Sequence, residues 1–188
     1  MVAKKMGFVV DTERCIGCHT CEMACKNEYQ SEPSVRWRKV YPITESVYSL
    51  PERNHISLAC NHCEKPECLR VCPVKAYTKR DDGIVIHDQS RCIGCKMCMM
   101  ACPYEVPQYN ERLRKIEKCN MCSERLDQGQ KTACVAACPM EALSVVDLNE
   151  YYKYGLQIDF PGLPSPEITH PTTRFIKPRI GVQVRRDQ

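Results

Sequence analysis

The sequence predicts an α+β fold of two pseudo-symmetric modules, one inserted in the other, with long loops and an extended C-terminal arm. Three observations lead to this prediction. Sixteen of the 188 residues are cysteines, and they fall into four groups of four. The phrase CIGCHTCEMACK at 15–26 returns as CIGCKMCMMACP at 92–103, with its cysteines in the same register. Short segments with alternating apolar residues flank these groups, as expected of strands.

Each group has the same outline, in which two residues separate the first two cysteines and three residues separate the last two. The members are Cys15, Cys18, Cys21 and Cys25 in group I; Cys60, Cys63, Cys68 and Cys72 in group II; Cys92, Cys95, Cys98 and Cys102 in group III; and Cys119, Cys122, Cys134 and Cys138 in group IV. A proline follows groups II, III and IV, whereas Lys26 follows group I.

The spacing of groups I and III is that of bacterial ferredoxins, which hold 4Fe-4S clusters. Three cysteines on one tight loop can bind three irons of a cluster, and the fourth binds the other cluster of the pair. Gly17 and Gly94 allow the loop backbone to come close to the inorganic sulfides. The sequence therefore predicts four 4Fe-4S clusters in bacterial-ferredoxin-like modules.

Two other uses of the cysteines fit less well. A density of sixteen cysteines is common in short disulfide-bonded secreted chains, but MVAKKMGFVVD lacks the features of a secretory signal. Cysteines so close together also suit a shared metal centre better than pairwise bridges. Zinc binds isolated C-x2-C pairs, yet four thiolates on one tight loop make a poor tetrahedral site.

Groups II and III are predicted to form one module, over 56–109. Asp82-Gly83 indicates a hairpin turn between them, and GIVIHD alternates like a strand. This is the sequence pattern found between the two cysteine groups of an ordinary two-cluster ferredoxin. It therefore favours pairing group II with group III over two tandem ferredoxins, in which group I would pair with II and group III with IV.

Groups I and IV are predicted to form the second module, over 1–30 plus 110–146. Two segments resemble the two strands predicted between groups II and III, but without the turn that joins them. They are CPMEALSVVD, which ends group IV and continues past it, and GFVVDTERCIGC, which leads into group I. The first module is thus inserted into the second, and groups I and III are equivalent loops.

The exchange of the fourth cysteine then assigns the ligands. The predicted sets are Cys15, Cys18, Cys21 and Cys138 for cluster 1; Cys119, Cys122, Cys134 and Cys25 for cluster 2; Cys60, Cys63, Cys68 and Cys102 for cluster 3; and Cys92, Cys95, Cys98 and Cys72 for cluster 4. We expect Ala59, Ile93, Met97, Met99 and Met100 to exclude water from the sulfurs.

Two segments lie outside the modules. The insertion at 31–55 contains Trp37 in VRWRKVYPI, which alternates like a strand or arm. Residues 147–188 are rich in proline and aromatic residues, which favours an extended path. Because Phe160 and Phe175 would be poorly placed in water, we expect this arm to wrap around the body or a partner rather than to hang free.

Lys26 has two interpretations. It is either a solvated helix residue or a cation that tunes a nearby cluster or relays charge to a partner cofactor. His19 and His62 lie inside cysteine groups, but no cysteine is missing for a histidine to replace. We therefore expect these histidines to donate hydrogen bonds near sulfur or to face solvent.

Charge and motifs exclude several functions. The formal charge of +4 would become about −4 if each of four clusters adds about −2, and no basic helix interleaved with aromatics predicts a nucleic-acid partner. No nucleophile triad or phosphate-binding glycine loop is present, and every cysteine is a predicted ligand. No apolar run reaches the length of a transmembrane helix. We expect a soluble protein that does not catalyse a reaction alone.

The phrases LACNHCEKPEC, RCIGCKMCMMACPYEVPQYN and KCNMCSERLDQG resemble the iron–sulfur subunit of the dimethyl sulfoxide reductase family of molybdopterin oxidoreductases. The resemblance covers about residues 6–146. It implies four clusters in a line that connect a molybdopterin catalytic subunit to a membrane-anchored, quinone-linked subunit. It also implies that export follows the catalytic partner, so the sequence does not indicate a side of the membrane.

A free-standing polyferredoxin shuttle is the alternative function. A shuttle needs only the cysteine modules, whereas the insertion and the arm are better suited to docking surfaces on partner subunits. The sequence therefore favours the subunit of a complex.

Overall fold

The computed structural model describes residues 4–43, 55–151 and 155–177 and has a mixed α and β architecture. Its helices are α1 (Thr20–Tyr29), α2 (Glu67–Arg70), α3 (Met97–Ala101), α4 (Ser123–Asp127) and α5 (Ala133–Ala136). Its strands are β1 (Met6–Asp11), β2 (Lys39–Pro42), β3 (His55–Leu58), β4 (Tyr77–Lys79), β5 (Val85–His87), β6 (Gln108–Asn110), β7 (Lys115–Glu117), β8 (Leu143–Asp147), β9 (Leu156–Gln157) and β10 (Arg174–Ile176). The described strands form one four-stranded sheet in the order β8-β1-β10-β9 and three two-stranded hairpins.

The first and last parts of the cysteine region meet in the four-stranded sheet. Strand β1 pairs antiparallel with β8, and Phe8 lies opposite Val145. Outside the ladder, the Asp11 N–H donates to the Ala142 carbonyl at 2.8 Å. The predicted pairing of the N-terminal strand with the strand after group IV is therefore confirmed.

The predicted hairpin between groups II and III is also confirmed. Strand β4 pairs with β5, with Tyr77 opposite His87. Gly83 has a φ of 85° in the turn, a conformation that glycine adopts without a steric penalty. Its N–H donates to the Arg80 carbonyl at 2.9 Å and closes the turn.

The C-terminal arm packs on the body in its described part. Strand β10 runs parallel to β1, with Phe175 opposite Val10. The ring of Phe160 lies 5.2 Å from that of Phe175, and both rings are buried. The expectation that these apolar residues leave water is confirmed, whereas residues 178–188 of the arm lie outside the described residues.

The arm also touches group II. The Thr172 N–H and hydroxyl both donate to the Asn61 carbonyl, at 2.9 and 2.8 Å. The Glu64 N–H donates to the His170 carbonyl at 2.8 Å. The arm thus joins the sheet of one cysteine region to the loop of another.

The insertion forms a short hairpin in which β2 pairs with β3, and residues 44–54 between them lie outside the described residues. The strand begins only at Lys39, later than VRWRKVYPI suggests. Trp37 instead stacks on Tyr29 at 4.3 Å between ring centroids, and its indole N–H donates to Glu117 at 3.3 Å. The insertion is therefore packed against helix α1.

Cysteines form part of the hydrophobic core. The larger of two clusters of buried residues combines Cys21, Cys60, Cys119 and Cys134 with residues such as Phe8. A smaller cluster contains Cys68 and Cys98. Burial among apolar side chains keeps water away from these sulfurs.

Among the described residues, we find no helix long and apolar enough to cross a membrane.

Candidate metal centres

The loops of groups I and III have the same backbone shape. Gly17 and Gly94 have φ angles of 71° and 70°, and His19 and Lys96 have φ angles of 60° and 64°. Helices α1 and α3 begin directly after His19 and Lys96. Two left-handed residues in each loop turn the backbone tightly enough to bring three cysteines to one side.

The two glycines are required by close neighbours as well as by their φ angles. A Cβ at Gly94 would lie 2.3 Å from the Arg114 carbonyl oxygen, and one at Gly17 would lie 2.4 Å from the His55 ring. From the cysteine pattern alone, these glycines are needed only to let the loop backbone come close to the sulfides. The structure shows a second reason, because another segment packs tightly behind each loop.

Groups II and IV share a second loop shape. His62 and Met121 follow the first cysteine by two residues, have φ angles of 41° and 58° and are fully buried. Their N–H groups donate to the sulfurs of Cys60 and Cys119, at 3.5 and 3.4 Å. Such bonds stabilise negative charge on sulfur and are one means of adjusting a cluster potential.

Two cavities are each lined by four cysteines. One contains Cys60, Cys63, Cys68 and Cys102. The other contains Cys15, Cys18, Cys21 and Cys138. In both cavities, three cysteines come from one group and the fourth comes from another group.

Among the remaining cysteines, Cys25 shows a similar contact between groups. It belongs to group I and is influenced electrostatically by Cys119, Cys134 and Cys122 of group IV. Cys98 is influenced by the other loop cysteines of group III. Cys72 of group II packs against the small buried cluster that contains both Cys68 of its own group and Cys98 of group III.

No three His, Cys, Asp or Glu side chains among the described residues converge closely enough to hold a single metal ion. The four-cysteine cavities are a different kind of site, since a four-iron cluster binds one thiolate at each iron rather than four at one ion.

Burial raises the pKa of most of these thiols. Desolvation, with neighbouring sulfurs adding to it, raises the pKa values of Cys63, Cys68 and Cys119 to about 12. The same causes raise the pKa of Cys25 far above its usual range. The exposed Cys18 differs, because the Thr20 hydroxyl donates to its sulfur at 3.4 Å and lowers its pKa. Thiolates at the buried positions thus need a cationic partner such as iron.

Buried polar atoms fit the presence of anionic clusters. Of the five buried side-chain atoms without a hydrogen-bond partner among the described residues, four lie near cysteine sets: Arg38 Nη2, Tyr77 Oη, Tyr104 Oη and Thr169 Oγ1. Tyr104 and Thr169 line the cavity of Cys60. The Tyr77 hydroxyl acts on Cys98, and the Arg38 guanidinium acts on four cysteines. Donors aimed at these sets match the sulfur acceptors of 4Fe-4S clusters, so the residues present fit the group.

Arg38 is a candidate functional residue that sequence reasoning missed. It is 2% exposed, and its Nη1 donates to the Ser57 carbonyl at 3.3 Å and the Ser57 hydroxyl at 3.1 Å. The Ser57 hydroxyl in turn lies 3.3 Å from the Cys21 sulfur. The sequence pattern gave no signal for it, because the apolar residues of VRWRKVYPI alternate at Val35, Trp37, Tyr41 and Ile43, which places Arg38 on the opposite face.

His62 connects two cysteine groups. Its Nδ1 accepts from the Val85 N–H at 3.0 Å, so the ring proton resides on Nε2, which lies 3.9 Å from the Cys119 sulfur. Burial, followed by the charge of Lys118, lowers the pKa of His62 well below its usual range. The ring is thus neutral and donates toward sulfur, which confirms one of the two expectations for the histidines. His19 meets the other, since it is largely exposed.

Lys26 is not a freely solvated side chain, so the solvated-helix interpretation is wrong. Its ammonium donates to the carbonyls of Glu32, Pro33 and Val35, at 2.7, 3.2 and 2.8 Å. These bonds tie the end of α1 to the loop that follows it.

The apolar side chains of the group III loop mostly face outward. Ile93, Met97 and Met100 are 63%, 44% and 75% exposed, so the expectation that they shield the sulfurs is wrong. Short helix α3 has room for only one face against the core, and Met99 occupies it by packing against the smaller core cluster. Ala59 packs against the larger one.

The group I loop repeats this outward arrangement. Ile16 and Met23, at the positions that match Ile93 and Met100, are also exposed. The nearby Cys18 and Cys95 are the exposed cysteines of their loops. Each loop therefore presents apolar side chains and one cysteine at the surface.

Family models match most of the cysteine region. A 4Fe-4S dicluster domain matches residues 52–148, and a 4Fe-4S binding domain matches residues 6–27. With the two four-cysteine cavities, these matches define an electron-transfer protein with ferredoxin-type 4Fe-4S domains.

Curated relatives specify the family. A chain of the anaerobic dimethyl sulfoxide reductase of Haemophilus influenzae is 40% identical over 185 residues, which cover 93% of this chain and 90% of that protein. The arsenate respiratory reductase iron–sulfur subunit of a Shewanella species is 30% identical over 194 residues, 78% of this chain and 83% of that protein. A subunit of the tetrathionate reductase of Salmonella typhimurium is 35% identical over 148 residues, 78% of this chain and 59% of that protein.

This protein belongs to the iron–sulfur subunits of the dimethyl sulfoxide reductase family. It is an electron-transfer subunit, and its sixteen cysteines provide for four 4Fe-4S clusters.

Replacing Gly94 with alanine should disrupt the group III loop. The new Cβ would meet the Arg114 carbonyl in a strained left-handed conformation. We expect iron, measured after anaerobic purification, to fall from about sixteen toward about twelve atoms per chain, because one cluster is lost. Gly83→Ala is the matched control, since nothing lies within 4 Å of its Cβ. It should keep all its iron and cost about 1–2 kcal/mol of stability. Full iron in Gly94→Ala would contradict this explanation of the loop.

Proposed function

We propose that this chain transfers electrons between a molybdopterin catalytic subunit and a membrane-anchored, quinone-linked subunit of an anaerobic reductase. The observation that supports this most is the convergence of cysteines from different groups around two cavities, with four cysteines at each. When bound, each 4Fe-4S cluster exchanges single electrons at a potential set by its surroundings. The names of the relatives, which describe a chain or a subunit of a reductase, support a role within a complex.

The proposed ligand sets follow the exchange of the fourth cysteine. Cys138 completes the set of group I, Cys25 that of group IV, Cys102 that of group II and Cys72 that of group III. The two four-cysteine cavities support the first and third of these assignments. The influence of group IV sulfurs on Cys25 supports the second, and the fourth follows by applying the same exchange to the cysteines that remain.

The proposed architecture is two pseudo-symmetric modules, with groups II and III inserted between groups I and IV. Matched geometry supports it. Lys75 and Glu141 have φ angles of 49° and 48°, and each lies three residues after the last cysteine of its group. The N–H groups of Ala76 and Ala142 donate to the sulfurs of Cys72 and Cys138 at 3.3 Å in both cases.

The chain's own residues hold the thiolates and set their environment. Backbone N–H groups donate to a sulfur in each of the four groups. Hydroxyls of Ser57 and Thr132 lie 3.3 and 3.4 Å from the sulfurs of Cys21 and Cys134. The hydrophobic core excludes water from the buried sulfurs. These effects set the reduction potential of each cluster site, and none of them needs a catalytic group.

Two sets of exposed apolar side chains support two partners. Ile16, Met23 and Met140 belong to the proposed module of groups I and IV. Ile93, Met97 and Met100 belong to the proposed module of groups II and III. Each set includes residues of a loop with an exposed cysteine, which is where a partner's redox centre could come close. We assign the first set to the catalytic subunit and the second to the membrane side, so the chain associates with the membrane through its partner.

Native purification tests the function. We expect anaerobic isolation at natural abundance to give an iron-rich species much larger than the 21.6 kDa chain, with molybdenum or tungsten present. Native mass and metal content are read from the same sample. An iron-loaded monomer without another metal would instead favour the free-standing shuttle.

Paired cysteine variants test the ligand sets. Cys138→Ser should alter the electron paramagnetic resonance signal of the group I cluster, because its fourth ligand changes. Cys25→Ser is the matched variant and should alter the signal of the group IV cluster. The reverse assignment of the two spectra would contradict the exchange of the fourth cysteine.

Lys26 is proposed to tune the cluster that Cys25 completes. Lys26 follows Cys25 directly in the chain and three carbonyls fix its ammonium in place, and a fixed cation near a cluster favours the reduced form. Lys26→Met should lower that cluster's midpoint potential in a redox titration, whereas Lys4→Met, at an exposed lysine, should not. If every potential stays unchanged in Lys26→Met, tuning is rejected and the lysine only secures the loop.

A further inference from the structure

Arg38 is a buried charge whose contacts are neutral in the described part of the chain. Its Nη1 donates to Ser57, its guanidinium lies 4.5 Å from the centre of the Phe8 ring, and its Nη2 has no hydrogen-bond partner. An arginine side chain remains protonated in proteins, so burying it is unfavourable unless an anion compensates its charge. The neutral contacts supply no such anion.

The cysteines around Arg38 come from two different proposed ligand sets. Cys21 belongs to the set completed by Cys138, whereas Cys119 and Cys134 belong to the set completed by Cys25. The Phe8 ring under the guanidinium belongs to the same buried cluster as Cys21, Cys119 and Cys134, so Arg38 packs on the core that holds sulfurs of both sets. Arg38 therefore lies where it interacts with both sets at once.

The choice of side chain fits this position. Arginine is always charged and less strongly hydrated than lysine, and its planar fork can donate in several directions. Ser57 fixes one nitrogen of the fork and also contacts the Cys21 sulfur at 3.3 Å. The second nitrogen, Nη2, stays available for a sulfur acceptor.

We propose that Arg38 is the shared counter-charge of the two clusters in the module of groups I and IV and raises the reduction potential of both. This inference rests on the proposed ligand sets. Reduction makes a cluster more negative, so a nearby fixed cation stabilises the reduced form more than the oxidised form. The cysteines that act on Arg38 are Cys21, Cys25, Cys119 and Cys134, so the two clusters of groups II and III should keep their potentials.

The test is a redox titration of the intact complex, monitored by electron paramagnetic resonance. Arg38→Gln removes the charge and keeps a hydrogen-bonding amide. It should change the oxidised-to-reduced ratio of two of the four clusters at least tenfold at fixed potential, which lowers their midpoints by about 59 mV or more. The same two clusters should be those perturbed by Cys138→Ser and Cys25→Ser.

Two further variants separate charge from packing. Arg38→Lys keeps the charge and should shift both midpoints less than Arg38→Gln does. Arg36→Gln is the matched control on the same segment, because Arg36 is half exposed, and it should shift neither. If Arg38→Gln assembles poorly, the iron that is lost should come from these two clusters, with the other two retained at unchanged potentials.

The inference is overturned if all four potentials stay unchanged in fully loaded Arg38→Gln. It is also overturned if Arg38→Lys shifts the midpoints as far as Arg38→Gln, or if the clusters of groups II and III are the ones that move or disappear. These results leave the proposed function intact. That function fails separately if the wild-type complex does not show four 4Fe-4S clusters in this chain.

Discussion

The rest of the structure depends on keeping many cysteine sulfurs close together inside a small hydrophobic core. Burial and mutual repulsion raise the pKa values of thiols such as Cys63 and Cys119 to about 12, so the thiolate form is costly without iron. The fold compensates with N–H groups, hydroxyls and buried cations directed at the sulfurs. Arg38 is the most buried of these cations, and the neutral His62 adds an N–H near Cys119. The protein and its clusters are thus parts of one core.

Long-range pairings hold these sulfurs in register. Strand β1 precedes group I and strand β8 follows group IV, so their pairing brings the two ends of the cysteine region together. The arm then adds β10 beside β1 and reaches Asn61 in group II through Thr172. Because sheet, arm and loops meet around the sulfurs, a change in one loop is expected to affect iron binding elsewhere.

Local patterns of cysteine spacing and alternation were sufficient to predict the β4–β5 hairpin. The repetition of that pattern at the two ends of the cysteine region was sufficient for the long-range β1–β8 pair, and the large apolar surface of Phe175 was sufficient to place it against the body. Features that depend on tertiary contacts were missed. The binding of the Lys26 ammonium by backbone carbonyls cannot be predicted without knowing where residues 32–35 fold back. The burial of Arg38 also depends on where Ser57 lies. The exposure of Met100 likewise depends on which face of a short helix meets the core.

The assignment of every cluster rests on the proposal that paired cysteine groups exchange their fourth ligand. Anomalous diffraction at the iron edge, from anaerobic crystals of the complex, would place the iron atoms beside identified sulfurs. The exchange predicts four separate clusters, with Cys138 on the cluster bound by Cys15, Cys18 and Cys21. A map with Cys138 on the cluster of Cys119, Cys122 and Cys134 would contradict it.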